Sequence, residues 1–229
     1  MNVMIIDTET ANGLDCPLPY DIGYKILNVD TKETLINRSF VIAEIFLDKE
    51  LMASAYYAEK VPKYWKDIKC GRRLLKSLFN VRKQIFADMK NYNVTKVGGY
   101  NMGFDKRATN NDIRFCSGSF FRWFFPYNTE FFDIWNMACS SILRSKRFII
   151  WAIANNQVSP AGNIYTNAEV AYRYIIKDTD FEENHTGLED VEIETAIFLK
   201  VLKSRMKYDD SITTNPWRIP QKRRKELGL

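Results

Sequence analysis

Apolar and polar positions along this chain change period several times, and each change marks an element. Val3-Met4-Ile5-Ile6 is a short apolar run that ends in acids, the pattern of a buried strand. Residues 22–29 and 34–41, rich in Ile, Val, Tyr and Phe, predict two more strands, with Asp30-Thr31-Lys32-Glu33 as the hairpin turn between them. Over residues 71–92, Leu74, Leu78, Val81, Ile85 and Met89 recur at steps of three and four, which predicts an amphipathic helix. A fourth strand is expected over 94–100, running into Asn101-Met102-Gly103-Phe104-Asp105. Residues 130–143 begin with a short aromatic strand around Phe131-Phe132 and continue as a helix. Thr166-x-x-Glu169 and Thr186-x-x-Glu189 both have the capping-box pattern, predicting helices to about Lys177 and Lys207. In the second of these, Leu188, Val191, Phe198, Val201 and Leu202 form a core-facing stripe. No internal repeat or long linker divides the chain. An early hairpin followed by alternating helices and strands predicts a mixed sheet with helices packed on it.

Composition narrows the class. With 46% apolar and 14% aromatic residues among 229, the chain can bury a sizeable core and is not a disordered segment. Its longest apolar run, residues 148–154, is far short of the roughly 20 residues a membrane helix needs. Asp7 interrupts the N-terminal apolar stretch and no basic segment precedes it, so no signal peptide is expected. The expectation is a soluble, cytoplasmic protein with no membrane partner. Cys16, Cys70, Cys116 and Cys139 lack C-x-x-C spacing and are expected as reduced, mostly buried thiols. The formal net charge is +5, and most of it lies in residues 218–229, where Arg218, Lys222, Arg223, Arg224 and Lys225 face only Glu226. That segment reads equally as a phosphate-contacting arm or as a solvated terminus.

The chemistry gathers in four acids and the single histidine. In Asp7-Thr8-Glu9, strand alternation puts both carboxylates on one face and Thr8 on the other. Two adjacent carboxylates repel, and at the end of a buried strand a divalent cation or a raised pKa relieves them. Asp105 follows the fourth strand; alone, it reads as a helix N-cap. Asn101 nearby offers a donor and acceptors to a phosphate. His185 immediately precedes the Thr186 cap, and the pair of positions joined by a hydrophobic staple would here bring it against Asp190.

Together, D-x-E on the first strand, an acid after the fourth and H-x-x-x-x-D opening a late helix resemble the DEDD family of 3′→5′ exonucleases. The subtype is the histidine one, DEDDh, a group that includes the proofreading epsilon subunit of bacterial DNA polymerase III. Ile5-Ile6-Asp7-Thr8-Glu9-Thr10 is similar to the family's first motif, Asp21-Ile22-Gly23 to the start of its second strand, Phe132-Asp133 to a fifth-strand motif, and His185-Thr186-Gly187-Leu188-Glu189-Asp190 to its third motif. The chain departs from the family in 55–59, Ala-Tyr-Tyr-Ala-Glu, where a His-Gly-Ile-type segment is common. Phe120-Phe121-Arg122-Trp123-Phe124-Phe125 lies outside the motif set and reads as core, partner surface or base-stacking platform. Leu14 is a weak candidate for a wedge beside the terminal base. Tyr174-x-x-x-Asp178 has the spacing of the tyrosine subtype; the capping box and long helix favour His185 and Asp190.

The resemblance implies an α/β, ribonuclease H-like mixed five-stranded sheet, with an early antiparallel hairpin and later parallel strands, flanked by helices. It implies an exonuclease domain over residues 1–207 and leaves 208–229 as a basic C-terminal tail. Asp7, Glu9, Asp105 and Asp190 would hold two Mg²⁺ or Mn²⁺ ions, with Asp7 bridging, and His185 would be the general base. Thr8, Asn101 and Phe104 would contact the terminal nucleotide. Hard carboxylate oxygens suit those ions, and a histidine pKa near 6.5 suits a base at neutral pH. The implied substrate is a single-stranded DNA 3′ end, released as nucleoside 5′-monophosphates in a proofreading or DNA-processing role, with a DNA polymerase as partner, in a bacterial or phage-infected cell. RNA trimming by the same chemistry, and a non-catalytic scaffold that binds nucleic acid or a polymerase, are the alternatives.

Overall fold

The computed structural model describes residues 1–229. Its six strands are β1 (Asn2–Ala11), β2 (Leu18–Asn28), β3 (Thr34–Ile42), β4 (Leu74–Lys76), β5 (Lys96–Gly99) and β6 (Glu130–Asp133), joined in one sheet in the order β4-β3-β2-β1-β5-β6. The helices are α1 (Ala43–Phe46), α2 (Lys49–Ala53), α3 (Val61–Lys69), α4 (Leu78–Asn91), α5 (Met102–Ser117), α6 (Ile134–Ser140), α7 (Lys146–Ala154), α8 (Ala168–Ile176), α9 (Gly187–Ser204) and α10 (Arg218–Glu226). This is the α/β, ribonuclease H-like architecture expected from the motifs. β1, β2 and β3 form the antiparallel meander, and β4 joins β3 in parallel.

Several boundaries differ from the periodicity reading, each for a local reason. The sheet gains a sixth strand because residues 74–76 are extended and pair with Phe40, Val41 and Ile42. The helix predicted from residue 71 therefore starts at Leu78, where the Ser77 side chain accepts from the Asn80 N–H. β1 runs to Ala11, so Asp7 and Glu9 lie inside the strand rather than at its end. α8 is capped by Asn167, not Thr166, whose carbonyl and hydroxyl instead accept from the Tyr100 hydroxyl and the Trp135 indole. Cys16 and Cys70 are exposed rather than buried, and all four cysteines are free thiols.

The chain divides into two compact units. The first comprises Met1–Val97, Phe104–Glu130 and His185–Val191. Its core is built on Met4, Ile5, Ile6, Ile22, Ile26 and Phe40 from the meander with Val81 and Ile85 from α4, all essentially without solvent exposure. α4 is latched to the sheet where the Tyr24 hydroxyl and the Arg38 guanidinium both donate to the buried Asp88 carboxylate, at 2.6 and 2.7 Å. The second comprises Gly98–Gly103, Phe131–Asn184 and Glu192–Leu229. There Phe132 packs on Phe198 at 5.3 Å, and Tyr174 packs against Phe148 and Trp151. The basic C-terminal segment is an ordered helix, α10, whose Gln221 amide exchanges hydrogen bonds with the backbone N–H and carbonyl of Ile164. No helix is long and apolar enough to cross a membrane.

The tightest approach in the first unit is between two glycines. A Cβ at Gly23 on β2 would lie 2.0 Å from the Gly187 carbonyl oxygen, and one at Gly187 would lie 2.8 Å from the Gly23 nitrogen and 3.2 Å from the Asp7 carbonyl oxygen. Only hydrogen atoms at both positions let the first turn of α9 rest directly on the β1–β2 backbone. Gly23→Ala is therefore expected to cost about 3 kcal/mol of stability, an overpacking penalty against rigid backbone. Urea denaturation measures it, and an unchanged midpoint would contradict this seating of the helix.

Candidate active site

The site begins with register. Asp7 pairs across the hairpin with Gly23, and Glu9 with Asp21, so one face of the meander presents three acids around one bare backbone position. The first turn of α9 is set on that bare position, and its Asp190 completes the group. Carboxylate oxygens of Asp7, Glu9 and Asp190 all lie within 4.8 Å of one another, with Glu9 and Asp190 buried and Asp7 half-buried. The ladder shifts register between Glu9 and Thr10, a bulge that re-aims the strand just past the second acid.

Asp105 arrives differently. It lies in the first turn of α5, inside the helix rather than at its cap, and is buried. The Thr8 hydroxyl donates to its carboxylate at 2.8 Å, so the residue between Asp7 and Glu9 ties the α5 acid to β1. The Asp105 carboxylate is not part of the three-acid group. Phe104 beside it is half-buried, with the Arg107 guanidinium over its ring at 5.6 Å. Asn101 belongs to the second unit, in the left-handed conformation at φ 71°, with its N–H donated to Asp133.

His185 has φ 48°, a left-handed conformation that costs energy for any residue with a side chain. Its imidazole stacks on the Tyr57 ring, with centroids 4.5 Å apart and planes 10° from parallel. The Lys60 ammonium lies over the other partner of that stack, 4.2 Å from the Tyr57 centroid, and donates to the His185 carbonyl at 3.4 Å. The histidine plane is thus held by an aromatic ring from residues 55–59, the segment that departs from the family text.

Below this layer sits a buried ion network. The Arg73 side chain has no solvent exposure and donates to Asp21 at 2.8 Å, Asp67 at 3.0 Å, Glu189 at 2.6 Å and the Ser39 hydroxyl at 3.0 Å. Asp21 also accepts from the Tyr64 hydroxyl at 2.7 Å and from the Gly187 N–H at 3.0 Å. A carboxylate at a helix N-terminus answers the positive end of the macrodipole, so Asp21 holds α9 by both charge and hydrogen bond. Thr186 bonds Glu189 through its hydroxyl and accepts the Glu189 and Asp190 N–H groups through its carbonyl. Burial opposes ionisation of Glu189, but the Thr186 hydroxyl and the Arg73, Lys63 and Arg72 charges hold its carboxyl below the usual range.

The three-acid group is treated in the opposite way. Burial, and then the Asp21 charge, push Asp7 up to about 7, against the pull of the Thr8 N–H. Burial followed by Asp7, Asp190 and Asp21 pushes Glu9 up to about 10, eased by Lys60. The donors are all hard oxygens and converge, a set of the kind that suits a divalent cation.

Asp7, Glu9 and Asp190 are thus brought together, and Thr8 links them to Asp105. Of the alternative pair, Tyr174 packs against Phe148 and Trp151 in the second unit, and Asp178 is exposed beyond the end of α8. Leu14 is exposed in a loop. Arg73, Tyr57 and Lys60 were not expected at the site, and Glu189 was expected only as the capping-box partner of Thr186. The departure at 55–59 was the one visible trace of Tyr57; Arg73 left none, since its partners lie up to 116 residues away.

No protein-family model matches the chain, and no curated protein matches it in sequence. Solved structures do match in fold. The nuclease domain of 3′hExo, described as a DEDDh family member and bound to rAMP, aligns with a TM-score of 0.55 at 12% identity over 92% of this chain and 96% of that one. Cell-death related nuclease 4 (CRN-4) aligns at 0.57 and 8% identity over 99% and 76%. E. coli Exonuclease I in complex with a dT13 oligonucleotide aligns at 0.53 and 12% over 89% of this chain and 41% of that one. At these identities the likeness is one of fold: the chain has the architecture on which those nucleases are built.

Two outcomes follow from the electrostatics. Arg73→Met strands the buried Asp21 and Asp67 carboxylates and takes one of three cations from Glu189, and should cost about 3–5 kcal/mol in urea denaturation, as breaking a buried ion network does; a loss under about 1 kcal/mol would show that Arg73 is not their counterion. In the metal-free protein, Asp7 and Glu9 keep protons that the unfolded chain loses near 3.8 and 4.5. The folded state then binds more protons, so stability falls as pH rises through about 7 and on toward 10. Melting curves between about pH 5 and 9 should show a falling Tm, flattened in Asp7→Asn, with a Mn²⁺-induced gain that grows with pH because ions compete with protons. A Tm that rises across that window would contradict the raised values.

Proposed function

We propose that this chain is a divalent-metal-dependent 3′→5′ exonuclease that hydrolyses single-stranded DNA 3′ ends to nucleoside 5′-monophosphates. The observation that carries the reading is the convergence of Asp7, Glu9 and Asp190 within 4.8 Å, on a fold shared with 3′hExo, CRN-4 and Exonuclease I. Asp7, Glu9, Asp105 and Asp190 would hold two Mg²⁺ or Mn²⁺ ions. Such ions supply positive charge to the scissile phosphate and make the attacking water more acidic.

The chain's own residues do the rest. His185 takes the proton of the attacking water, and the Tyr57 ring keeps its imidazole in one plane while it does so. Thr8 fixes the Asp105 carboxylate relative to β1. The Arg73–Asp21 network keeps the first turn of α9, and with it Asp190, against the strand. Thr8, Asn101 and Phe104 would meet the terminal nucleotide. The division into an exonuclease domain over 1–207 and a basic segment over 208–229 belongs to the same proposal, with the exposed Lys222 and Lys225 of α10 offered to phosphate. The proofreading role and the DNA polymerase partner rest on the motif text around residues 5–10 and 185–190, and the cytoplasmic setting is part of the same proposal.

End-labelled single-stranded DNA incubated with Mg²⁺, and again with EDTA, tests the whole reading. A ladder that shortens from the 3′ end only with metal is expected, and a matched RNA strand in parallel decides the sugar preference. His185→Ala should lose about 10²–10⁴-fold in rate with Mn²⁺ affinity kept, whereas Asp7→Ala should lose both. Full activity without His185, or digestion that survives EDTA, would defeat the mechanism.

A further inference from the structure

The segment between α5 and β6, residues 118–129, presents rings to solvent rather than burying them: Phe120 is 84% exposed, Phe121 92% and Trp123 57%. These are not the rings of a loose end. Phe124 and Phe125 next to them are buried, edge to face at 5.0 Å, and the Phe124 backbone is pinned at both ends. Its N–H donates to Asn110 at 2.9 Å, and its carbonyl accepts from the Arg82 guanidinium at 2.7 Å. A fixed anchor therefore holds a display of aromatic faces away from the core.

The charge around that display has one sign. The Arg114 guanidinium lies over Trp123 at 4.8 Å, and the Arg122 guanidinium over the partly exposed Phe79 of α4 at 5.9 Å. Next to Phe79, the outer face of α4 carries a cavity of about 310 Å³ lined by Lys76, Asn80, Lys83, Gln84 and Ala87. Residues 118–129 contain no Asp or Glu. The acids of the neighbouring elements are engaged elsewhere: Glu44 accepts the Leu78 N–H, Asp88 is taken by Arg38, Tyr24 and Gln84, Asp112 is fully buried, and Glu130 at the start of β6 is paired with Lys96 at 3.0 Å. Burial and the nearby Arg122 charge lower Arg82 below the ordinary guanidinium range, which agrees with positive charge gathered here without an acid to balance it.

Exposed aromatic faces interleaved with guanidinium and ammonium groups match one polymer in particular, a polyanion whose monomers carry flat unpaired faces. We propose that residues 118–129 and the adjoining face of α4 form an accessory binding surface for single-stranded nucleic acid, with bases stacking on Phe120, Phe121 and Trp123 and phosphates meeting Arg122 and Lys83. The proposal rests on the nuclease reading for its ligand, but its residues are separate from the acids and the histidine of the candidate site. The surface holds the strand by contacts indifferent to sequence.

Fluorescence anisotropy with end-labelled DNA and RNA strands of about 4 and 20 nucleotides, spanning the usual reach of such surfaces, tests it in the full chain carrying Asp7→Asn to prevent cutting. Phe120→Ala/Phe121→Ala and Trp123→Ala change exposed rings and should fold normally, checked by circular dichroism. Each is expected to weaken binding of the longer strand by about tenfold or more, and Arg122→Ala to reduce its salt dependence by about one phosphate's worth. In chains with Asp7 intact, the same variants should hydrolyse a small chromogenic phosphodiester, p-nitrophenyl thymidine 5′-phosphate, at the parental rate. Unchanged affinity in every ring variant overturns the surface, and so does self-association by sedimentation that the ring variants abolish without affecting strand binding. Failure of the nuclease reading shows separately, as no hydrolysis of any phosphodiester by the parental chain.

Discussion

Everything in the candidate site depends on the backbone of α9 touching the backbone of β2 at Gly23 and Gly187. A helix normally packs on a sheet through side chains, at a distance that keeps its first turn away from the strands. Two residues without Cβ atoms remove that spacing, so the amide of Gly187 reaches Asp21 and the carboxylate of Asp190 reaches the level of Asp7 and Glu9.

The same region treats six acids in two contrasting ways. Asp21, Asp67 and Glu189 share a fully buried guanidinium and are satisfied within the fold. Asp7, Glu9 and Asp190 are crowded, and for Asp7 and Glu9 the crowding shows as carboxyls that hold their protons far above the ordinary range. The first trio has an arginine among it; the second has its carboxylate oxygens within 4.8 Å of one another. The arginine-bound trio joins β2, α3 and α9, and the crowded trio is the group on which the proposed function rests. His185 belongs to the same economy: a strained backbone at the entrance to α9, tolerated because Tyr57 and Lys60 hold the residue from the side.

The meander, the amphipathic α4, the seat of β6 and the long α9 were all legible from period and turn chemistry, because those signals act between residues a few positions apart. Asp7, Glu9, Asp105, His185 and Asp190 were candidates from short strings similar to a known family's motifs, and of these the fold brings Asp7, Glu9 and Asp190 into one group. The start of α4 and the cap of α8 were misplaced for the complementary reason. An edge strand at Leu74–Lys76 exists only because β3 is there to pair with, and Thr166 gave up its capping role to the distant Tyr100 and Trp135.

The amino-acid order alone determined the antiparallel meander, the amphipathic α4, the strand-to-helix step at β6 and the long α9, since strand alternation, helical period and capping are local properties of a chain. Only the folded arrangement decided that Arg73 neutralises Asp21, Asp67 and Glu189, that Tyr57 faces His185, and that Asp105 is held through Thr8 instead of joining the close trio. Those pairings span from 6 to 128 residues, and no spacing rule along the sequence encodes which charge meets which when two backbones close to contact.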